Sequence, residues 1–207
     1  MARKGDGEYD KLTGRFTFIS HAATQAQRRA AFPIDEPIDE REISKIAALQ
    51  WKAPHVQHVF AAPERRTQQT ANVLDLSAVT VEELSDCDYG EWRGRDFDEL
   101  YSCDPEGIGA WLTDPDAVPH GGESIANLIG RVSAWLNEHR DAGHTIVVTH
   151  PAVIRSAIVH VLDATPQTFW RIDIAPLSLT DIRFNGNVWT LRSIACPLRQ
   201  IDEINAS

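Results

Sequence analysis

Five residues, Thr145-Ile146-Val147-Val148-Thr149, constrain the fold of this chain more than any other segment. They are β-branched and almost continuously apolar, the pattern of a short strand covered on both faces. His150-Pro151 ends the run, and helical spacing resumes from Ala152 to Leu162 with Pro151 at a first helical position, where its missing N–H costs nothing.

The same alternation recurs along the chain. Arg15 to Ser20 reads as a strand ending at His21, followed by an alanine- and arginine-rich stretch with helical propensity. A Pro- and acid-rich loop runs from Pro33 to Asp39, and Glu40 to Trp51 carries helical spacing. His58 to Ala62 reads as a strand, Glu64 to Leu74 as a helix with Pro63 at its first position, and Val79 to Leu84 as a further strand. Asp86 to Asp98 is an acidic, aromatic loop, and short helices are expected around Phe97 to Leu112. Ile125 to His139 is a strongly amphipathic helix. Phe169 to Ile174, Leu177 to Phe184 and Val188 to Ile194 read as three closing strands, with Asn185-Gly186 as the hairpin turn between the last two. Alternating strands and helices predict an α/β fold, a three-layer α/β/α sandwich with one mixed, mostly parallel sheet. Residues 1–14 are expected to be a disordered lead and residues 15–207 a single domain.

Composition narrows the function. A net charge of −10 over 207 residues argues against a nucleic-acid backbone binder, so an anionic substrate would need a locally positive pocket. Cys87, Cys103 and Cys196 form no C-x-x-C pair, which fits a reducing compartment. No run approaches the ~18 apolar residues of a membrane span, and Met1 to Arg15 has no apolar signal region, so a cytoplasmic location is expected. No His-Glu-x-x-His pattern or Gly-rich nucleotide loop is present, and neither a metal nor another cofactor is implied.

Ligands of open α/β sheets bind beyond the carboxyl ends of the strands. His21 and His150 both stand at such ends, and Arg65-Arg66 follows a third strand. Two imidazoles and a guanidinium on one sheet edge can hold a phosphoryl group.

Five segments, in order, resemble the histidine phosphatase superfamily, which includes the cofactor-dependent phosphoglycerate mutases. Phe18-Ile19-Ser20-His21-Ala22-Ala23-Thr24 resembles its Arg-His-Gly-x-Thr signature, and Ala62-Pro63-Glu64-Arg65-Arg66-Thr67-Gln68-Gln69-Thr70-Ala71 its Ser-Pro-x-x-Arg-Ala-x-Gln-Thr-Ala segment. Leu84-Ser85-Asp86-Cys87-Asp88-Tyr89-Gly90-Glu91-Trp92-Arg93-Gly94 is similar to Leu-x-Glu-x-x-Phe-Gly-x-Trp-Glu-Gly. Pro119-His120-Gly121-Gly122-Glu123-Ser124 matches Pro-x-Gly-Glu-Ser with one residue inserted, and Val147 to Arg155 resembles the element that supplies the second histidine.

The resemblance implies a metal-independent phosphomonoester hydrolase acting on a small phosphorylated metabolite through phospho-His21. Arg66 and His150 would stabilise the transferring phosphoryl group, and Asp86 would protonate the leaving oxygen. Asp86 is one methylene shorter than the family's glutamate, and Glu123 is the competing acid. Ser20 replaces the family's arginine and Ala22 its glycine. Gln27, with Arg28 or Arg29, could fill the gap in the phosphate cradle; the alternative reading is that both arginines are solvated helix residues. Ser20 supports a second reading, a catalytically weak relative that binds a phosphorylated ligand or a protein partner. Mutase-type phosphoryl transfer is a third, less favoured because the Tyr89-Gly90-x-Trp92-x-Gly94 loop looks like that of the phosphatase members, among which α-ribazole phosphatase is one candidate. No nucleic acid or membrane partner is expected, and a homodimer is left open.

Overall fold

The computed structural model describes residues 13–198, so most of the expected disordered lead lies outside the described residues. In chain order the elements are β1 (Gly14–Ser20), α1 (Gln25–Arg28), α2 (Glu40–Leu49), β2 (His58–Ala61), α3 (Arg65–Val73), β3 (Val79–Thr80), α4 (Phe97–Cys103), α5 (Pro105–Thr113), α6 (Ile125–Glu138), β4 (Gly143–Thr149), α7 (Pro151–Val161), β5 (Ser178–Phe184) and β6 (Trp189–Pro197). The strands form one six-stranded sheet in the order β3-β2-β4-β1-β5-β6. β3, β2, β4 and β1 run parallel, while β5 and β6 close the sheet antiparallel. The fold is the expected mixed, mostly parallel α/β sandwich.

Alternation along the central strands builds the two cores. Phe16, Phe18 and Val147 point to one face, where they pack with Leu128, Val132 and Trp135 of α6 and Ile154 and Ile158 of α7. Ile19, Ile146 and Val148 point to the other, against Ile46 of α2 and Ala71 of α3. Both faces of β1 and β4 are thus covered, which is why their sequences are nearly unbroken in apolar character. Phe16 meets Trp135 edge-on at 5.9 Å between ring centroids, tying the sheet to the amphipathic helix.

Four local expectations are corrected. Helix α3 starts at Arg65 rather than beside Pro63, because Glu64 is extended (φ −67°, ψ 149°) and serves as the N-cap. The strand expected over Val79 to Leu84 stops at Thr80, and Glu82–Leu84 form a 3₁₀ turn that buries Leu84. The expected strand from Phe169 to Ile174 is instead met by a 3₁₀ helix, Pro166–Arg171, whose Phe169 inserts into the α6 and α7 core. Pro166 starts that helix at a first helical position, which explains why apolar alternation misleads there. The hairpin between β5 and β6 uses four residues, since Phe184 pairs with Trp189. Asn185 Oδ1 accepts from the N–H groups of Asn187 and Val188, and Gly186 takes φ +91°.

Candidate active site

The sheet register brings the two histidines together. Ser20 lies opposite Thr149 in the parallel β1–β4 ladder, and the His21 N–H donates to the Thr149 carbonyl at 3.0 Å. The next residue on each strand is a histidine, and the rings of His21 and His150 stand 5.3 Å apart although 129 positions separate them. On the other flank of β4, Ala62 N–H donates to Val148 O, which places the start of α3 beside His150. Arg66, one residue into that helix, is buried and reaches the same edge.

His21 and His150 are held differently. His21 Nδ1 lies 2.8 Å from the Ala22 carbonyl, so that nitrogen carries the hydrogen and Nε2 presents its lone pair. Complete burial, then the neighbouring His150 and Arg66, bring its pKa down to about 3 and keep the ring neutral. His150 Nε2 stands 2.7 Å from Glu64 Oε2 and its Nδ1 3.5 Å from Asp86 Oδ2. Burial works to raise the Glu64 pKa, but the hydrogen bond and charge of His150 prevail and lower it to about 2. Glu64 also accepts the Asp86 N–H, so one carboxylate orients the histidine and the following loop together.

Arg66 and Asp86 face each other. Arg66 Nη2 donates to Asp86 Oδ2 at 2.7 Å and Nη1 to the Ile34 carbonyl at 2.7 Å, while its buried Nε has no hydrogen-bond partner. His150 Nδ1 is likewise buried and without one. Buried donors are normally satisfied, so the unmet guanidinium nitrogen of Arg66, a residue that lines a cavity at this edge, marks a place for an anion.

The loop bearing Asp86 is locked to the segment bearing Glu123. Glu91 N–H donates to His120 O, and Glu123 N–H donates to Asp88 O. Gly90 has φ +47°, and a Cβ there would collide with the His120 carbonyl. The His120 ring packs against Trp92 at 5.1 Å and Tyr89 at 6.3 Å. Burial, then Asp86, push the Tyr89 phenol well above its ordinary value, so it enters the cavity as a neutral hydroxyl.

His21, Gln27, Glu36, Arg66, Asp86, Tyr89 and Arg155 share a cavity of about 130 Å³. Glu123 does not line it. That residue borders an adjoining cavity of about 700 Å³ and is held by two contacts to Arg131, at 3.0 and 2.7 Å. Gln27 borders the small cavity, but its Oε1 caps the short α1 by accepting from Thr24 N–H. Ser20 is fully buried and its Oγ has no hydrogen-bond partner. For the two readings of Arg28 and Arg29, the geometry brings neither arginine to that gap. Arg28 is engaged by Asp39 at 2.9 Å and Glu42 at 3.0 Å, and Arg29 is exposed, with its nearest carboxylate, Asp96, 4.0 Å away.

A different cation lines the cavity. Arg155 follows His150 by five positions and Pro151 by four, one helical turn, so α7 turns it to the side of its own amino end. Its guanidinium lies over the Phe169 ring at 5.6 Å, with a buried and unpartnered Nε. The spacing was readable in the sequence, although no motif reasoning had given Arg155 a role. Glu36 was also missed, because one acid in an acidic loop carries no periodicity.

The family model described as Histidine phosphatase superfamily (branch 1) matches residues 16–197. This chain belongs to that superfamily. The superfamily member is similar to Phosphoserine phosphatase 1 of Hydrogenobacter thermophilus, 27% identical over 177 residues that cover 80% of this chain and 84% of the relative. It is also 27% identical over 186 residues to Bifunctional protein Rv2228c of Mycobacterium tuberculosis, covering 83% of this chain but only 51% of that protein, so it spans about half the length of this relative. In fold it matches the solved α-ribazole phosphatase of Shigella flexneri, with a TM-score of 0.78, 23% identity, and 90% and 98% of the two chains covered. At the level of the superfamily, this match and the phosphatase names of these relatives support a phosphatase.

Proposed function

We propose that this protein hydrolyses a small phosphomonoester without a metal, through a phosphohistidine on His21. The observation that carries the reading is the pairing of His21 and His150 at adjacent strand ends, with His21 neutral and its Nε2 free to attack. In the first step Nε2 forms a bond to phosphorus as the ester P–O bond breaks, and Asp86, which enters the step protonated with its Arg66 contact given up to the phosphoryl group, passes its proton to the departing alkoxide. Arg66 and His150 face the phosphoryl oxygens, which gather charge in a loose transition state. In the second step Asp86, now ionised, takes a proton from water as its oxygen attacks phosphorus. The N–P bond breaks, releasing inorganic phosphate and restoring His21.

Trapping provides the test. Brief incubation with a labelled aryl phosphate should leave an acid-labile, base-stable phosphoenzyme in the natural protein and none in His21→Ala. Turnover should fall by at least ~10³-fold in that variant with the fold retained. Wild-type rates in His21→Ala, in an assay free of contaminating phosphatase, would exclude covalent catalysis by this residue. One observation favours a second reading, a binder of phosphorylated ligands: Ser20 brings no cation to the cradle. Saturable phosphate binding with no hydrolysis of any aryl phosphate would select it.

A further inference from the structure

The small cavity contains a carboxylate that a phosphate cannot satisfy. Glu36 lies in the loop from Pro33 to Asp39, which is folded over the start of α3 by Arg65 N–H donating to Asp35 and by Arg66 donating to the Ile34 carbonyl. The Glu36 side chain is only 12% exposed, and both its carboxylate oxygens are buried with no hydrogen-bond partner. The nearest cation is Arg66 Nη1 at 4.0 Å, beyond hydrogen-bond reach and already donating elsewhere. A buried carboxylate in this state is costly unless something donates to it.

The adjoining 700 Å³ cavity points the same way. It shares Pro33, Arg66 and Asp86 with the small one, and its walls carry six carboxylates against three guanidinium groups. Arg93 and Arg131 are spent on Asp88 and Glu123, while Glu82 on the wall has no ion-pair partner among the described residues. A substrate is therefore offered cations where the phosphoryl group sits and negative charge beyond it. A second phosphate or a carboxylate on the leaving group would be repelled, and a plain alcohol would leave Glu36 unmet.

Resting on the phosphomonoesterase reading, we infer that the alcohol of the substrate carries a cationic group, a primary ammonium, received by Glu36. The linker to the ester oxygen is short, because His21 and Glu36 share one cavity of about 130 Å³. An ammonium supplies the donors that both carboxylate oxygens lack, and a charge-assisted hydrogen bond out of water is a strong contact. The substrate class is an aminoalkyl phosphate.

The test compares kcat/KM of the full chain for O-phosphoethanolamine, its isostere propyl phosphate, in which a methyl replaces the ammonium, and phosphoglycolate, whose leaving group carries a carboxylate, with p-nitrophenyl phosphate as control. The ammonium ester should be preferred over propyl phosphate by about tenfold or more, with phosphoglycolate the poorest. Glu36→Gln should bring the ratio of the first two close to one, chiefly through KM for the ammonium ester. A wild-type ratio near one overturns the inference and needs no variant to fold. Equal loss on both esters in Glu36→Gln also overturns it, because Glu36 would then act only by holding Arg66. If p-nitrophenyl phosphate is cleaved without any preference for the cation, only this inference fails. If no ester is cleaved, the phosphomonoesterase reading fails and takes the inference with it.

Discussion

A histidine that must attack phosphorus has to remain unprotonated, and burial secures this for His21 at a price in acid stability. With a folded pKa of about 3 against about 6.5 unfolded, the native state excludes a proton that the unfolded chain accepts. The stability His21 allows is therefore intact above pH 6.5 and lost as pH falls toward 3, by up to ~1.4 kcal/mol per pH unit. Glu64, lowered from 4.5 to about 2, contributes stability present above pH 4.5 and lost below it, so it adds to the loss in stronger acid. Thermal melts between pH 7 and 5 should show the natural protein losing Tm faster than His21→Ala. Parallel curves would mean that His21 takes up its proton in the folded state. Arg155 allows a second prediction at this scale. As an unpaired guanidinium on the cavity wall, its replacement in Arg155→Ala should lower kcat/KM by roughly 10–100-fold, the value of a charge-assisted contact to a phosphoryl group. Unchanged kinetics in a folded Arg155→Ala would leave Arg155 with only its contact to Phe169. His21, Arg66 and His150 were legible in sequence because each sits at a fixed offset from a strand end. Glu36 was not, since its isolation from donors exists only once the loop has folded over α3.

Whole elements were legible where one physical demand dominates the sequence. β1 and β4 are covered on both faces and α6 on one, and their apolar patterns report this directly. The 3₁₀ segments Glu82–Leu84 and Pro166–Arg171 overlap the strands expected over Val79 to Leu84 and Phe169 to Ile174, because one buried side chain in each, Leu84 and Phe169, is packed by tertiary contacts rather than by a ladder. The interlocked loops that carry Asp86 and Glu123 are set by backbone approach, which hydrophobic periodicity does not encode. Gly90 makes that approach testable. Gly90→Ala would combine a left-handed φ with a Cβ driven onto the His120 carbonyl, so a loss of ~2 kcal/mol or more is expected, lowering Tm by about 4–8 °C in a chain this long. Activity should fall with it, because Tyr89 and Asp86 ride on the same loop. Gly109→Ala, within α5 and with nothing within 4 Å of the added methyl, should instead gain ~0.5–1 kcal/mol and leave kinetics alone. Equal Tm values for the two variants would show that the loop backbone can yield at Gly90.

At the scale of the molecule, a chain of net charge −10 must admit a dianionic phosphate ester to a cavity whose two guanidinium groups, Arg66 and Arg155, are equalled in number by the carboxylates of Asp86 and Glu36. The long-range field therefore opposes approach, and attraction begins only near Arg66 and Arg155. Salt separates the two regimes, because the Debye length shrinks from about 30 Å at 0.01 M to about 8 Å at 0.15 M, masking the distant charges while leaving the buried guanidinium groups nearly unscreened. For p-nitrophenyl phosphate, kcat/KM should consequently rise with ionic strength over that range, by about two- to threefold, opposite in sign to enzymes that steer anions with a positive surface. An ester whose leaving group carries an ammonium has a smaller net charge and should show a weaker salt effect. The measurement is a pair of salt titrations at fixed pH with one sodium salt, read as the slopes of log kcat/KM. A falling slope for the dianion would place the controlling field at the mouth of the cavity, and the net charge would then have no part in selecting the substrate.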